Sequence, residues 1–192
     1  MRAFSFLFVL ASVGLLTQSE KPDSRVVEAA ANGFQIKISI SCKAKPDVVY
    51  DSMVNHISEW WDASHSYTQD AKNMSIEVRP HGWFIEKLPK GGFVRHFEIT
   101  YLAPGKSIRF EGGMGPLQEQ GIAGSMTINF KPTDSGSTID LTYNVGGFMV
   151  GGEKTMKQWA PPVKQVIQGQ FERLRDHANA AVTDAPPVRS PR

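Results

Sequence analysis

One stretch near the carboxyl end constrains this chain more than any other. Val163, Val166, Ile167, Gln170, Phe171, Leu174, Ala178 and Ala181 fall on one face of a helix, and a stripe that is apolar but for Gln170 needs another element to cover it. The other helical pattern is short. Pro46 suits a first-turn position, Asp47 complements the helix dipole, and Val49, Met53, Ile57 and Trp60 recur at helical spacing up to a break near Trp61. The cover must therefore be a sheet. Phe34, Ile36, Ile38, Ile40 and Cys42 alternate with polar residues, and Ile139, Leu141, Tyr143 and Val145 alternate with Asp140, Thr142 and Asn144, the period of a strand with one wet face. Further strand-like segments lie at roughly 74–80, 83–89, 93–103, 106–112 and 124–132, with turn signals at His81-Gly82, Lys90-Gly91-Gly92 and Pro104-Gly105. The expectation is an α+β fold in which six or seven antiparallel strands curve around a long C-terminal helix. A glycine-rich loop, Gly146 to Gly152, leads into that helix, and Pro161-Pro162 is expected to kink or restart it.

The 192 residues suit one domain with tails. In residues 1–19, Arg2 precedes an apolar run from Ala3 to Leu16, with Thr17 and Ser19 at small-residue positions beyond it. This is the pattern of a secretory signal peptide, and the run is shorter than the roughly 20 residues that span a bilayer. The reading is a signal peptide over 1–19, a linker over 20–33, the folded domain over 34–182 and a disordered, proline-containing tail over 183–192. The mature chain is then periplasmic or secreted, with no stable membrane span once the signal is cleaved. Oligomeric state is not encoded in any pattern here.

Composition removes several function classes. A formal charge of +2 without any Lys/Arg run is too weak a field for a nucleic-acid partner. Cys42, the single cysteine, permits no intrachain disulfide, and its place on the apolar face of a strand marks it as buried and inert. The five histidines show no HExxH spacing and no two share a helical face, so spacing predicts no metal site. There is no Gly-x-Ser-x-Gly elbow, and Gly112 to Gly115 leads into a strand with no Gly-Lys-Ser/Thr after it. No cofactor is expected.

The informative residues are polar groups on apolar faces, since an unpaired buried charge is costly and implies a partner or a wet cavity. Glu86 shares strand parity with Phe84 and Leu88, and Arg95 shares it with Phe93, Phe97, Ile99 and Tyr101. Gln170 interrupts the helical stripe, and Tyr143 adds a phenol to the inward face of the last strand. Glu86 and Arg95 either pair structurally on adjacent strands or face a cavity. Trp60, Trp61, Trp83 and Trp159 are suited to lining an apolar pocket, and Phe97 lies on the same face as Arg95.

Particular segments carry a family resemblance: Glu59-Trp60-Trp61, Gly82-Trp83-Phe84-Ile85-Glu86, Pro104-Gly105-Lys106 before Ile108-Arg109-Phe110, Gly113-Met114-Gly115-Pro116-Leu117-Gln118, and Thr142-Tyr143-Asn144-Val145-Gly146-Gly147-Phe148. With the order of elements, these resemble the START-like (SRPBCC) superfamily from about Phe34 to His177, in particular a bacterial subgroup described as polyketide-cyclase-like or heat-shock-protein-activator-like. The resemblance implies the helix-grip fold, with a ligand cavity between sheet and terminal helix. Glu86, Arg95, Tyr143 and Gln170 would then line or border one space, with Trp83, Phe97 and Trp159 as apolar walls. It admits three functions: a carrier or sensor of a small hydrophobic molecule, a cyclase or dehydratase using Glu86, Tyr143 or His96 as acid or base, and a protein-binding activator. Export argues against the activator, since an ATP-dependent chaperone partner is not expected there. Binding of a small hydrophobic ligand is the reading adopted.

Overall fold

The computed structural model describes residues 23–183; the expected signal peptide and almost all of the expected tail lie outside them. The chain runs β1 (Asp23–Ala30), β2 (Gly33–Cys42), α1 (Pro46–Asn55), α2 (Ile57–Trp60), β3 (Met74–Ile76), β4 (Trp83–Lys87), β5 (Phe93–Ala103), β6 (Ser107–Gly112), β7 (Ala123–Thr133), β8 (Gly136–Gly146) and α3 (Gly152–Thr183). The strands form one curved antiparallel sheet in the order β1-β2-β8-β7-β6-β5-β4-β3. The helical excursion after β2 sends the chain to the far edge, so β2 pairs with the last strand, with Ile36 opposite Tyr143 and Ile38 opposite Leu141.

The two alternating patterns do what their period requires. The apolar residues of β2 and β8 are buried on the inner face, and α3 lays Ile167, Phe171, Leu174 and Ala178 against them. α3 also packs on β1, α1 and α2. Val163 and Val166, by contrast, are only half-buried and Ala181 is exposed, so the stripe is core in its middle and faces an opening at its start. Cys42 is buried, and desolvation pushes its thiol up to about 11, too high for a nucleophile at neutral pH.

Three expectations are corrected. The sheet has eight strands, because β1 occupies the stretch read as linker. That strand lies at the sheet edge, half exposed, with Asp23, Arg25 and Glu28 along it and a register shift between Val26 and Glu28. Such features protect an edge from further pairing, and they also erase the alternation that would announce a strand. The first helical segment ends at Trp60, with Trp61 extended as expected, but it is not one helix, being interrupted also at His56 between α1 and α2. Pro161 and Pro162 lie inside α3, which runs through them without interruption. They leave the carbonyls four residues earlier, on Lys157 and Gln158, without their in-helix donors.

Leu174 is fully buried at the centre of the α3 contact. Leu174→Ala is expected to lower unfolding stability by about 2–5 kcal/mol, read as a reduced urea midpoint with an unchanged slope; a loss below about 1 kcal/mol would show that α3 does not hold the core.

Candidate functional site

The site begins with a register shift. β4 and β5 pair Phe84 with Phe97, but the next pair is Ile85 with Arg95, which leaves His96 without a partner. This is a β-bulge, and an extra residue in one strand re-aims the side chains beside it. Both His96 and Phe97 consequently point inward and are buried. The neighbouring strand accommodates the bulge with a glycine: a Cβ on Gly112, whose φ is +151°, would lie 2.4 Å from the His96 carbonyl oxygen.

The bulge reverses the expected position of Arg95. Its side chain is exposed and donates to Glu98 Oε2 at 3.1 Å, so it lines no cavity. Trp83 also leaves the expected set, because it shares parity with Lys87 and stacks on the exposed Phe93, with ring centroids 6.0 Å apart and planes 17° apart.

Glu86 does face inward and is completely buried. Its carboxylate accepts hydrogen bonds from the Tyr67 amide (3.0 Å), the Thr68 amide (2.6 Å) and the Thr68 hydroxyl (2.7 Å). Burial opposes its charge, yet those donors and His96 together hold the carboxyl below its ordinary range. Glu86 thereby fastens the segment from Trp61 to Thr68 to the sheet. Gln170 fastens the other end of that segment: its Oε1 accepts from the Asp62 amide at 2.8 Å. Asp62 accepts in turn from the Ser64 amide at 3.0 Å, and Trp61 Nε1 donates to the His65 carbonyl at 3.2 Å.

Against this fixed segment lies a cleft of about 370 Å³. One wall is the start of α3, through Trp159, Pro162, Val163 and Val166; the second is Trp61 to Tyr67; the third is Met114 to Pro116. His96 borders it from the sheet. Deeper, between sheet and helix, the space expected to hold a ligand is a void of about 20 Å³ lined by Phe97, Gln170 and other core residues, room for about one water. Trp61, Met114 and Ile167 line both spaces. Tyr143 is fully buried beyond them, packed edge-on against Phe97 with centroids 5.9 Å apart. Burial raises its phenol strongly, only partly opposed by the nearby Met114 amide, and no complete hydrogen bond reaches its hydroxyl among the described residues. Of the expected ligand-binding residues Trp159 lines the cleft, together with Trp61 among the other tryptophans and His96 among the candidate acids and bases. Glu86 and Gln170 shape it from behind, and Phe97 lies in the core beneath it.

His96 gives the cleft its chemistry. Its Nε2 is 3.6 Å from Glu86 Oε2, an ion-pair distance but too long for a hydrogen bond. Among the described residues neither ring nitrogen has a hydrogen-bond partner. Burial lowers its pKa, outweighing the opposite pull of Glu86, so the ring is neutral at neutral pH and offers one donor and one acceptor. The sequence names His96 among possible acids or bases, but no pattern places it inward, because strand parity reverses at a bulge that no residue type in β5 announces.

Elsewhere the fold joins His56, Glu59 and His177, whose potential ligand atoms all lie within 4.8 Å of one another. Sequence spacing had predicted no such grouping; the cluster forms only when α3 folds back over α2. Among the described residues no helix is long and apolar enough to cross a membrane.

No family model matches the chain, and no curated protein matches it in sequence. Solved structures do match. A protein of unknown function from Staphylococcus aureus is 12% identical with a TM-score of 0.56, over 85% of this chain and 99% of that one. A conserved protein of unknown function from Enterococcus faecalis is 12% identical with a TM-score of 0.53, over 89% and 83%. The di-domain ARO/CYC StfQ from the steffimycin biosynthetic pathway is 13% identical with a TM-score of 0.55, over 80% of this chain and 53% of that one. The fold is therefore the one these structures share, and likeness at this identity extends to the fold alone.

Because burial dominates at His96, its imidazole is expected to titrate below 6.5. The unfolded chain then takes up a proton that the native state refuses, and stability is lost as pH falls below 6.5. The Glu86 carboxyl, also depressed, adds to the loss only below 4.5. An NMR titration of the His96 ring protons checks the first step: the midpoint lies below 6.5 in the native protein and falls further in Glu86→Gln. A midpoint at or above 6.5 contradicts the assignment.

Proposed function

We propose that the protein is a START-like binder of a small, mostly apolar ligand, held in the cleft at the start of α3, and that it serves as a carrier or sensor. His96 carries this reading: a buried, neutral imidazole with both nitrogens unused borders a cleft whose other walls are largely aromatic and aliphatic. Ligand pockets combine such surfaces with few polar groups, and their volumes of roughly 300–1,000 Å³ include this one. The ligand class is a hydrophobic molecule with one hydrogen-bonding group, such as a hydroxyl or carbonyl, directed at His96. The resemblance of the sequence to START-like proteins supports the same class.

Extraction of the full chain purified from its native compartment, followed by native mass spectrometry, tests the proposal by seeking a co-purifying small molecule. With an apolar fluorophore as probe, Val166→Trp is expected to fill the cleft and abolish binding. His96→Leu is expected to weaken a hydroxyl-bearing ligand by about tenfold, the equivalent of roughly 1.4 kcal/mol. Equal binding by all three proteins would place the ligand elsewhere.

The neutral His96 with the ionised Glu86 behind it also favours a second reading, in which His96 rather than Glu86 or Tyr143 accepts a proton from a bound substrate. Conversion of an extracted ligand by the native protein, together with binding but no conversion by His96→Gln, would replace the carrier with the enzyme. Export through residues 1–19 is a separate proposal. An amino terminus beginning after Ser19 in the periplasmic or secreted fraction supports it, and an intact Met1 terminus there or in the cytosol refutes it.

A further inference from the structure

We propose that His56, Glu59 and His177 form a zinc-type metal site that clamps α3 to the segment carrying α1 and α2. Three observations lead to it. The residues come from two separately positioned parts of the chain: His56 joins α1 to α2, Glu59 lies in α2, and His177 lies in α3. Both imidazoles are aimed at one carboxylate, with His56 Nδ1 2.8 Å from Glu59 Oε1 and His177 Nε2 3.2 Å from Glu59 Oε2. The far nitrogen of His56 has its own support, since Nε2 faces Asp51 Oδ2 at 3.5 Å and Asp51 is held by Asn55 Nδ2 at 2.7 Å.

The donor chemistry selects the ion. Two imidazoles and a carboxylate suit zinc and its first-row neighbours and disfavour magnesium or calcium, which take oxygen ligands. Zinc bonds of about 2.0–2.2 Å place tetrahedral ligands roughly 3.3 Å apart, and the three donor atoms already lie within 4.8 Å. Glu59 is more than half exposed, so its carboxylate can swing aside and let one cation replace the protons that the imidazoles now direct at it. The Asp51 contact is the outer-shell carboxylate that ligating histidines use on the nitrogen away from the metal. His177 has no such support, its Nδ1 being buried without a partner among the described residues, which points to micromolar rather than nanomolar affinity. Three protein ligands leave a fourth position for water.

The site also bears on the cleft. Glu59 directly precedes Trp60 and Trp61; Arg173 Nε donates to the Trp60 carbonyl at 2.7 Å, and Trp61 lines the cleft. A metal joining Glu59 to His177 reinforces the same seam between α2 and α3.

The test uses the full chain without an affinity tag, stripped with chelator and titrated with zinc chloride in a calorimeter. The expected result is one zinc per chain with micromolar affinity, a rise of several degrees in the unfolding midpoint, and the intense visible absorption of tetrahedral cobalt when Co²⁺ is substituted. His177→Ala and Glu59→Gln should each weaken binding at least tenfold, whereas His81→Ala, at an exposed histidine paired with Glu98, should leave it unchanged. Glu59→Gln alters only an exposed side chain and keeps the test valid if His177→Ala fails to fold. Substoichiometric binding, equal affinity for Mg²⁺, or Glu59→Gln binding zinc as tightly as the native protein would overturn the proposal.

Discussion

A carboxylate as completely buried as Glu86 has to be surrounded by donors, because an isolated buried charge costs far more than a fold of this size can spare. The donors, the amides of Tyr67 and Thr68 and the Thr68 hydroxyl, come from a stretch of chain whose regular structure is a single 3-10 turn, Ala63–His65. Ordering that stretch against the sheet makes a wall, and the wall makes the cleft. Gln170 repeats the device from the helix side through the Asp62 amide. Two polar residues on apolar faces thus act through the loop between them, and neither needs to touch a ligand to decide the shape of the opening.

The same sheet and helix that form a closed core at one end leave room at the other. Around Phe171 and Leu174 the helix meets the sheet through fully buried side chains, with only a water-sized void near Phe97. Toward its start α3 presents Val163 and Val166 to the cleft. Part of the apolar stripe is therefore covered by other elements and part lines the open cleft. The proline pair lies at this transition, where the helix changes from lining an opening to packing a core.

Most of the architecture was legible because it follows from two periods. Alternation in β2 and β8 and the stripe in α3 require a sheet with one helix laid on it, and the resemblance to START-like proteins gives the same answer. β1 was not legible, since an edge strand needs no apolar face and its charged residues hide it. At the site, parity identified Glu86 and Tyr143 as inward but failed at Arg95, because one unpaired residue reverses every side chain on one side of it. Whether β5 bulges at His96 depends on how β4 and β6 accept the extra residue, and Gly112 provides part of that acceptance from another strand. Spacing also says nothing of His56 and His177, because tertiary packing alone brings them to one carboxylate.

On the proposed reading, the imidazole of His96 would make the site select a ligand by polarity more than by size. A pocket of apolar walls discriminates weakly between shapes differing by a methylene, whereas a buried group that lacks a partner favours a ligand supplying one. In the free protein the Glu86 carboxylate lies too far from Nε2 for a hydrogen bond and stabilises no particular tautomer strongly. Both ring nitrogens are buried, so on the proposed reading a ligand's polar group reaches one of them only as the cleft wall yields, and that group decides which tautomer the ring adopts. A ligand hydroxyl can meet either tautomer; a ketone can only accept and requires the tautomer whose N–H faces it. Replacing Glu86 by glutamine removes the charge that makes protonated His96 less unfavourable, but its single carbonyl oxygen can keep the Thr68 bonds only by turning the NH2 group toward the Tyr67 amide. The variant therefore loosens the wall as well as altering His96, and the two roles of the imidazole are separated by substituting His96 itself.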